Sequence, residues 1–202
     1  MIATSPFPER PLPDGTRFGL TIVSVTAGEL VDQPVEALIV AGNTRGLLGA
    51  GPAGSLRSAA GPGPEREARE HAPYDLGTVF VTGPGELAGR GVVSLIHAVI
   101  SAGLGEAARP SAIPTALAAA LDRSRAARHR SIALPIVGAR AGSPLEDLVA
   151  AAEVVIQALV AHLRAEGSRP ERAILVSRFD DDLPHLAALV ARARERLWTG
   201  PV

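Results

Sequence analysis

Several of the apolar runs in this chain are short and unbroken. Ala37-Leu38-Ile39-Val40 and Ala173-Ile174-Leu175-Val176 contain no polar residue at all. A strand with one wetted face alternates apolar and polar side chains, so an unbroken run marks a strand covered on both faces. Runs of this kind predict strands over Phe18–Thr26, Glu36–Ala41, Gly77–Thr82, Gly91–Ile100, Ser131–Val137 and Ala173–Arg178. Between them lie segments long enough for helices: Pro52–Ala60, Pro110–Arg128, Pro144–Ala165 and Leu183–Leu197. Alternating strands and helices define an α/β layered fold. The third helix carries start and stop signals: Ser143 as N-cap, Pro144 at the first helical position, Glu146 and Asp147 in the first turn, Gly167 after the end.

Composition narrows the chemistry. The 202 residues include no cysteine, which excludes a disulfide scaffold, a thiolate nucleophile and cysteine-ligated metal. All 20 basic residues are arginine, so neither a catalytic lysine nor a P-loop lysine is available. A net charge of −1 gives no general attraction to nucleic acid or anionic lipid. No apolar run is long enough to span a bilayer, and the N-terminus lacks the basic start and apolar stretch of a signal peptide. A cytoplasmic protein is expected. Residues 1–16 are proline-rich and without periodicity, which predicts an extended arm before a single domain over 17–202.

The most informative stretch follows the first unbroken run. A buried strand leads through Asn43 into Leu47-Leu48-Gly49-Ala50-Gly51-Pro52-Ala53-Gly54, and a helix begins near Pro52. Glycines allow close backbone approach, and the unpaired N–H groups of a helix start attract phosphate. The same residues read as a plain tight turn packed with small side chains. Gly49-x-Gly51-x-x-Gly54 also matches the dinucleotide-binding fingerprint, but the strand ends near Ala41, too early. The residue at the acidic position, Glu70, sits in the polar run Glu65–Glu70 and closes no second strand. Asn43, the sole asparagine, could hydrogen-bond a ribose hydroxyl or simply tolerate a left-handed backbone at a strand exit.

Other candidates have structural readings beside the functional ones. His97 lies within a predicted buried strand and reads as a satisfied core histidine. His71, His129, His162 and His185 show no metal-ligand spacing. Asp180-Asp181-Asp182 could offer oxygen ligands to a cation or, more simply, cap the last helix. The arginine runs at 123–130 and 192–196 lack interleaved aromatics, so they read as solvated helix faces and not as a nucleic-acid surface.

Taken in order, these residues resemble the macro domain family. The resemblance is carried by Gly28-Glu29-Leu30-Val31, by Asn43 with Leu47-Leu48-Gly49-Ala50-Gly51, by Leu56 with Ala59-Ala60-Gly61, and by Leu95-Ile96-His97-Ala98-Val99. Ile132-Ala133-Leu134-Pro135 followed by Gly138 and Gly142, and Ile174 to Asp180, extend it across nearly the whole chain. The resemblance implies a three-layer α/β/α sandwich on a mixed central sheet, with ADP-ribose or a derivative as ligand, no metal and no cofactor. By position, Glu29 and Leu30 would hold adenine and Asn43 the distal ribose. The loop Gly49, Ala50, Gly51, Pro52, Ala53, Gly54 and the loop Gly138, Ala139, Arg140, Ala141, Gly142 would enclose the diphosphate. Phe179 and Asp180 would border the adenosine.

The departures from the family pattern bear on activity. One of its paired asparagines is Val40 here, and Ala50 interrupts the glycine run. The aspartate and histidine of hydrolysing members align with Ala53 and Arg57, neither of which can activate water. Arg140 could clamp a diphosphate or fill its site. Three functions follow: a binder of ADP-ribose or a related ADP-ribosyl nucleotide with little or no hydrolysis, a hydrolase of ADP-ribosyl esters, O-acetyl-ADP-ribose or ADP-ribose 1″-phosphate with Asn43 as orienter, or a ligand-free scaffold for protein contact.

Overall fold

The unbroken apolar runs are the central strands of one sheet. The computed structural model describes residues 15–49, 52–139, 144–165 and 170–199, with only the backbone of Pro52 and Ala53. Among these residues the strands are β1 (Gly15–Phe18), β2 (Thr21–Ala27), β3 (Ala37–Asn43), β4 (Val79–Thr82), β5 (Ser94–Ser101), β6 (Ser131–Pro135) and β7 (Arg172–Ser177). The helices are α1 (Pro52–Ala60), α2 (Gly63–Glu70), α3 (Ile113–Ala126), α4 (Leu145–Leu163) and α5 (Leu183–Leu197). The strand order is β1-β2-β7-β6-β3-β5-β4. The five inner strands run parallel, and β1 and β4 close the two edges antiparallel, so the sheet is mixed.

Each inner strand divides its apolar residues between two layers, which is why its run is unbroken. Ala37 and Ile39 of β3 join Ile132, Leu134 and Leu175 under α3, α4 and α5. Leu38 and Val40 face the other way and pack with Ala133, Ile174 and Leu56 of α1. Helices therefore cover both faces, giving the expected α/β/α sandwich.

Several local features differ from the sequence reading. The strand expected over Phe18–Thr26 is two strands, because Gly19 takes φ +58 and turns the chain into a hairpin. β1 opens at Gly15, so Gly15 and Thr16, read as the end of the arm, are paired with β2; residues 1–14 lie outside the described residues. The polar run 65–70 belongs to α2. Its helical period is hidden because Pro64 and Ala68 alone are buried. Leu145, not Pro144, is the first residue of α4; Pro144 stands at the cap with ψ 151, and Ser143 and Gly167 lie outside the described residues. Asp180–Asp182 form a 3₁₀ turn, and Asp182 makes no side-chain capping bond to α5. Its carboxylate instead accepts from the Ser177 hydroxyl.

His97 is buried in β5 but only half satisfied. Nε2 is 2.9 Å from the Thr82 hydroxyl, while Nδ1 has no partner among the described residues. The imidazole stacks on Phe80, which stacks on Tyr74, with centroids 4.4 and 4.0 Å apart. Burial pushes its pKa down to about 3, because nothing nearby compensates a charged ring.

Candidate functional site

The parallel ladder between β3 and β6 is short. It pairs Ala37 with Ile132 and Leu38 with Ala133, then stops, whereas β3 stays on β5 as far as Asn43. Beyond Leu38 the two strands diverge toward their C-terminal ends. The chain leaves β6 toward β7 on one side and leaves β3 toward β5 on the other. In an open α/β sheet this reversal of direction places a crevice beyond the carboxyl ends of the strands, where ligands bind. A cleft of about 730 Å³ opens there, lined by Asn43, Ser101, Ile136, Gly138, Ala139 and Phe179 among others. That volume suits a nucleotide-sized ligand.

Asn43 ends β3 at the cleft, and the turn after it depends on its side chain. Oδ1 accepts from the backbone N–H of Arg45 at 3.1 Å and of Leu47 at 3.2 Å. Nδ2 donates to the Leu47 carbonyl at 2.7 Å. Asn43 is 6% exposed and lies in the strand, so the left-handed alternative does not hold. An amide carries two N–H donors; one is spent on Leu47, which leaves one for a ligand.

The first glycine loop is shaped by close backbone approach. A Cβ at Gly54, in the first turn of α1, would stand 2.3 Å from the Gly49 carbonyl oxygen. Gly49 itself lies under Leu104, whose Cδ1 would be 1.7 Å from an added Cβ. Leu104 belongs to the loop 102–109. It forms the β5-side wall of the cleft and carries Glu106. Thr44 anchors that loop through a 2.6 Å bond from its hydroxyl to the Ala102 carbonyl. Sequence reasoning missed this wall; its glycines at 103 and 105 were the available signal.

On the other side of the sheet switch, Gly138 opens the second loop with φ +106, a left-handed backbone that favours glycine. Ala139 follows it on the cleft wall. Ala50, Gly51, Arg140, Ala141 and Gly142 lie outside the described residues, as do the side chains of Pro52 and Ala53. Val40 is 1% exposed in the core beneath α1. Arg57 is turned away from the cleft and pairs with Glu65 of α2 at 3.1 Å.

At the far end, the exits of β2 and β7 are joined by the Gly28 N–H, which donates to the Ser177 carbonyl at 2.9 Å. The next residues, Glu29 and Arg178, form an ion pair, with Nη2 2.9 Å from Oε1. The Ser55 hydroxyl foremost, and Arg178 as well, hold the Glu29 carboxyl below the usual range against the opposing effect of burial. Arg178 and half-exposed Phe179 line the cleft; Glu29, partly exposed beside Arg178, and exposed Asp180 border that end outside the lining, and Leu30 is buried. Asp181, Asp182 and His185 complete that end. Among the described residues no group of three or more histidine, aspartate or glutamate side chains is placed to hold a metal ion, and no helix is long and apolar enough to cross a membrane.

A seven-stranded mixed sheet covered by helices on both faces, with a cleft at the β3–β6 divergence, defines an α/β/α sandwich class of domain. The model of the macro domain matches residues 39–152. An uncharacterized protein of Aeropyrum pernix is 31% identical over 163 residues, covering 81% of this chain and 82% of its own. An uncharacterized protein of Aquifex aeolicus is 30% identical over 135 residues, covering 65% and 78%. The chain belongs to the macro domain family. The fold is shared with the Oceanobacillus iheyensis macrodomain, solved as a point mutant with ADP-ribose, at TM-score 0.74, 18% identity, and coverage of 90% of this chain and 98% of that one. A Trypanosoma brucei macrodomain in complex with ADP-ribose gives TM-score 0.70, 22% identity, and coverage of 83% and 68%. The macrodomain of Thermus aquaticus DarG gives 0.64, 24%, 78% and 99%.

Proposed function

We propose that the cleft binds ADP-ribose or a related ADP-ribosyl nucleotide with little or no hydrolysis. The observation that carries this reading is the order of the strand ends. The two glycine-rich loops leave β3 and β6, on either side of the divergence. A diphosphate between them sends one nucleoside end toward β7 and β2 and the other toward β5. The exposed aromatic, Phe179, stands at the β7 end and suits a base; Asn43, with one N–H to give, stands at the β3–β5 end and suits the second ribose. From β2 to β5 is about 19 Å at ordinary strand spacing, the scale of an extended dinucleotide.

Weak hydrolysis follows from what the first loop and helix carry. Ala53 has no proton acceptor, and Arg57 is permanently charged and engaged with Glu65. One observation favours the alternative, a hydrolase of ADP-ribosyl esters: Glu106 lines the cleft on the β5 side, at the same end as Asn43. Incubation with O-acetyl-ADP-ribose, followed by chromatography, separates the two. The binding reading expects ester loss no faster than in buffer. Turnover that Glu106→Gln removes would establish the hydrolase instead.

A further inference from the structure

The base end of the cleft carries a feature that a single acidic residue would not provide. Glu29 and Arg178 are separated by 149 residues in sequence, yet they meet across the exits of β2 and β7. Both are partly exposed, with side chains 36% and 45% accessible. A carboxylate alone is only an acceptor. It takes a hydrogen bond from an exocyclic amine and repels a carbonyl oxygen in the same place. A guanidinium alone is only a donor and does the reverse. Here the two lie side by side, with Nη2 2.9 Å from Oε1, and Arg178 is the member that reaches the cleft wall.

We infer that the Glu29–Arg178 pair makes this end of the site indifferent to exchange of an amine for a carbonyl on the base, so that purine nucleotides of both kinds are accepted. This rests on the functional reading above, which places the base at the β7–β2 end. An adenine amine finds the Glu29 carboxylate. A hypoxanthine or guanine oxygen finds the Arg178 guanidinium, which has five N–H donors and commits one to Oε1. Phe179, 50% exposed beside them, offers a stacking face to either base. Strong rejection of the wrong base arises when a buried polar group is left unpaired. Neither ring leaves one here, because the two members of the pair still satisfy each other. Arg178 is thus the residue that sets base specificity, by removing a choice that Glu29 alone would impose.

The test is calorimetric titration of ADP-ribose and of inosine diphosphate ribose into the intact protein and into Arg178→Met, with thermal melting as a check that the variant folds. The native protein is expected to bind the two ligands within about threefold of each other. Arg178→Met, which removes the guanidinium and leaves the carboxylate with Ser55, is expected to prefer ADP-ribose by about tenfold or more. A preference for ADP-ribose of that size in the native protein, or an unchanged ratio in the variant, overturns the inference while the functional reading stands. Binding of neither ligand overturns the functional reading and this inference with it.

Discussion

Gly54→Ala is expected to cost about a hundredfold in affinity for ADP-ribose while leaving the fold in place. The new methyl would stand 2.3 Å from the Gly49 carbonyl oxygen and 3.4 Å from its carbon. These are backbone atoms, and no side-chain rotation relieves the contact. The loop must retreat from α1 by about an ångström or more to restore ordinary van der Waals separation. The N–H groups at the start of α1 then no longer converge with the loop on one phosphate. Loss of two charge-assisted hydrogen bonds, at about 1.5 kcal/mol each, corresponds to about a hundredfold. The clash is confined to the loop and the first turn of α1, so the melting temperature is expected to fall by only a few degrees. Titration of ADP-ribose into the variant, beside a thermal melt, checks this. Native affinity in a folded variant would remove the first glycine loop from the site.

Stability is expected to fall steeply in mild acid, with His97 as a main cause. Its folded pKa of about 3 lies far below the ordinary 6.5. Between those values the unfolded chain binds a proton that the folded protein refuses, so unfolding becomes easier as pH falls. The stabilising effect of the neutral ring is complete above about pH 6.5 and is lost progressively toward pH 3. One such group contributes roughly 1 kcal/mol per pH unit within the window. Between pH 6.5 and 5 most carboxylates are still ionised, so histidine dominates there. His129, whose pKa burial also lowers, adds to the slope. Denaturant unfolding at pH 6.5, 5.5 and 5 is expected to show the decline, and His97→Phe, which keeps a ring on Phe80, is expected to reduce its slope. An equal slope in the two proteins would show that His97 does not carry the effect.

The sequence reading reached furthest where the relevant contacts are local or two-faced. Ala37–Val40 announces a doubly covered strand because every residue must be apolar, and the boundaries of α1 follow from Pro52 and Gly61. It failed where a single residue or a distant partner decides. Gly19 splits one apparent strand into a hairpin. α2 shows little apolar stripe because it packs at the sheet edge mainly through Ala68 against Phe80 and Val99. Within the site, Asn43 and the glycine loops were visible as residue types in order, and the divergence of β6 from β3 was not, because it is a property of long-range register. The same holds for Leu104 on Gly49 and for the Glu29–Arg178 pair. Nothing local in Gly28–Leu30 predicts that an arginine so far along the chain will stand beside the carboxylate.

The central claim is that the opening between β3 and β6 is a nucleotide site. The most direct test is calorimetric titration of ADP-ribose into the purified protein. Saturable binding with a dissociation constant in the micromolar range, and a matching rise in melting temperature, is the predicted result. No heat and no thermal stabilisation at millimolar ligand would contradict it.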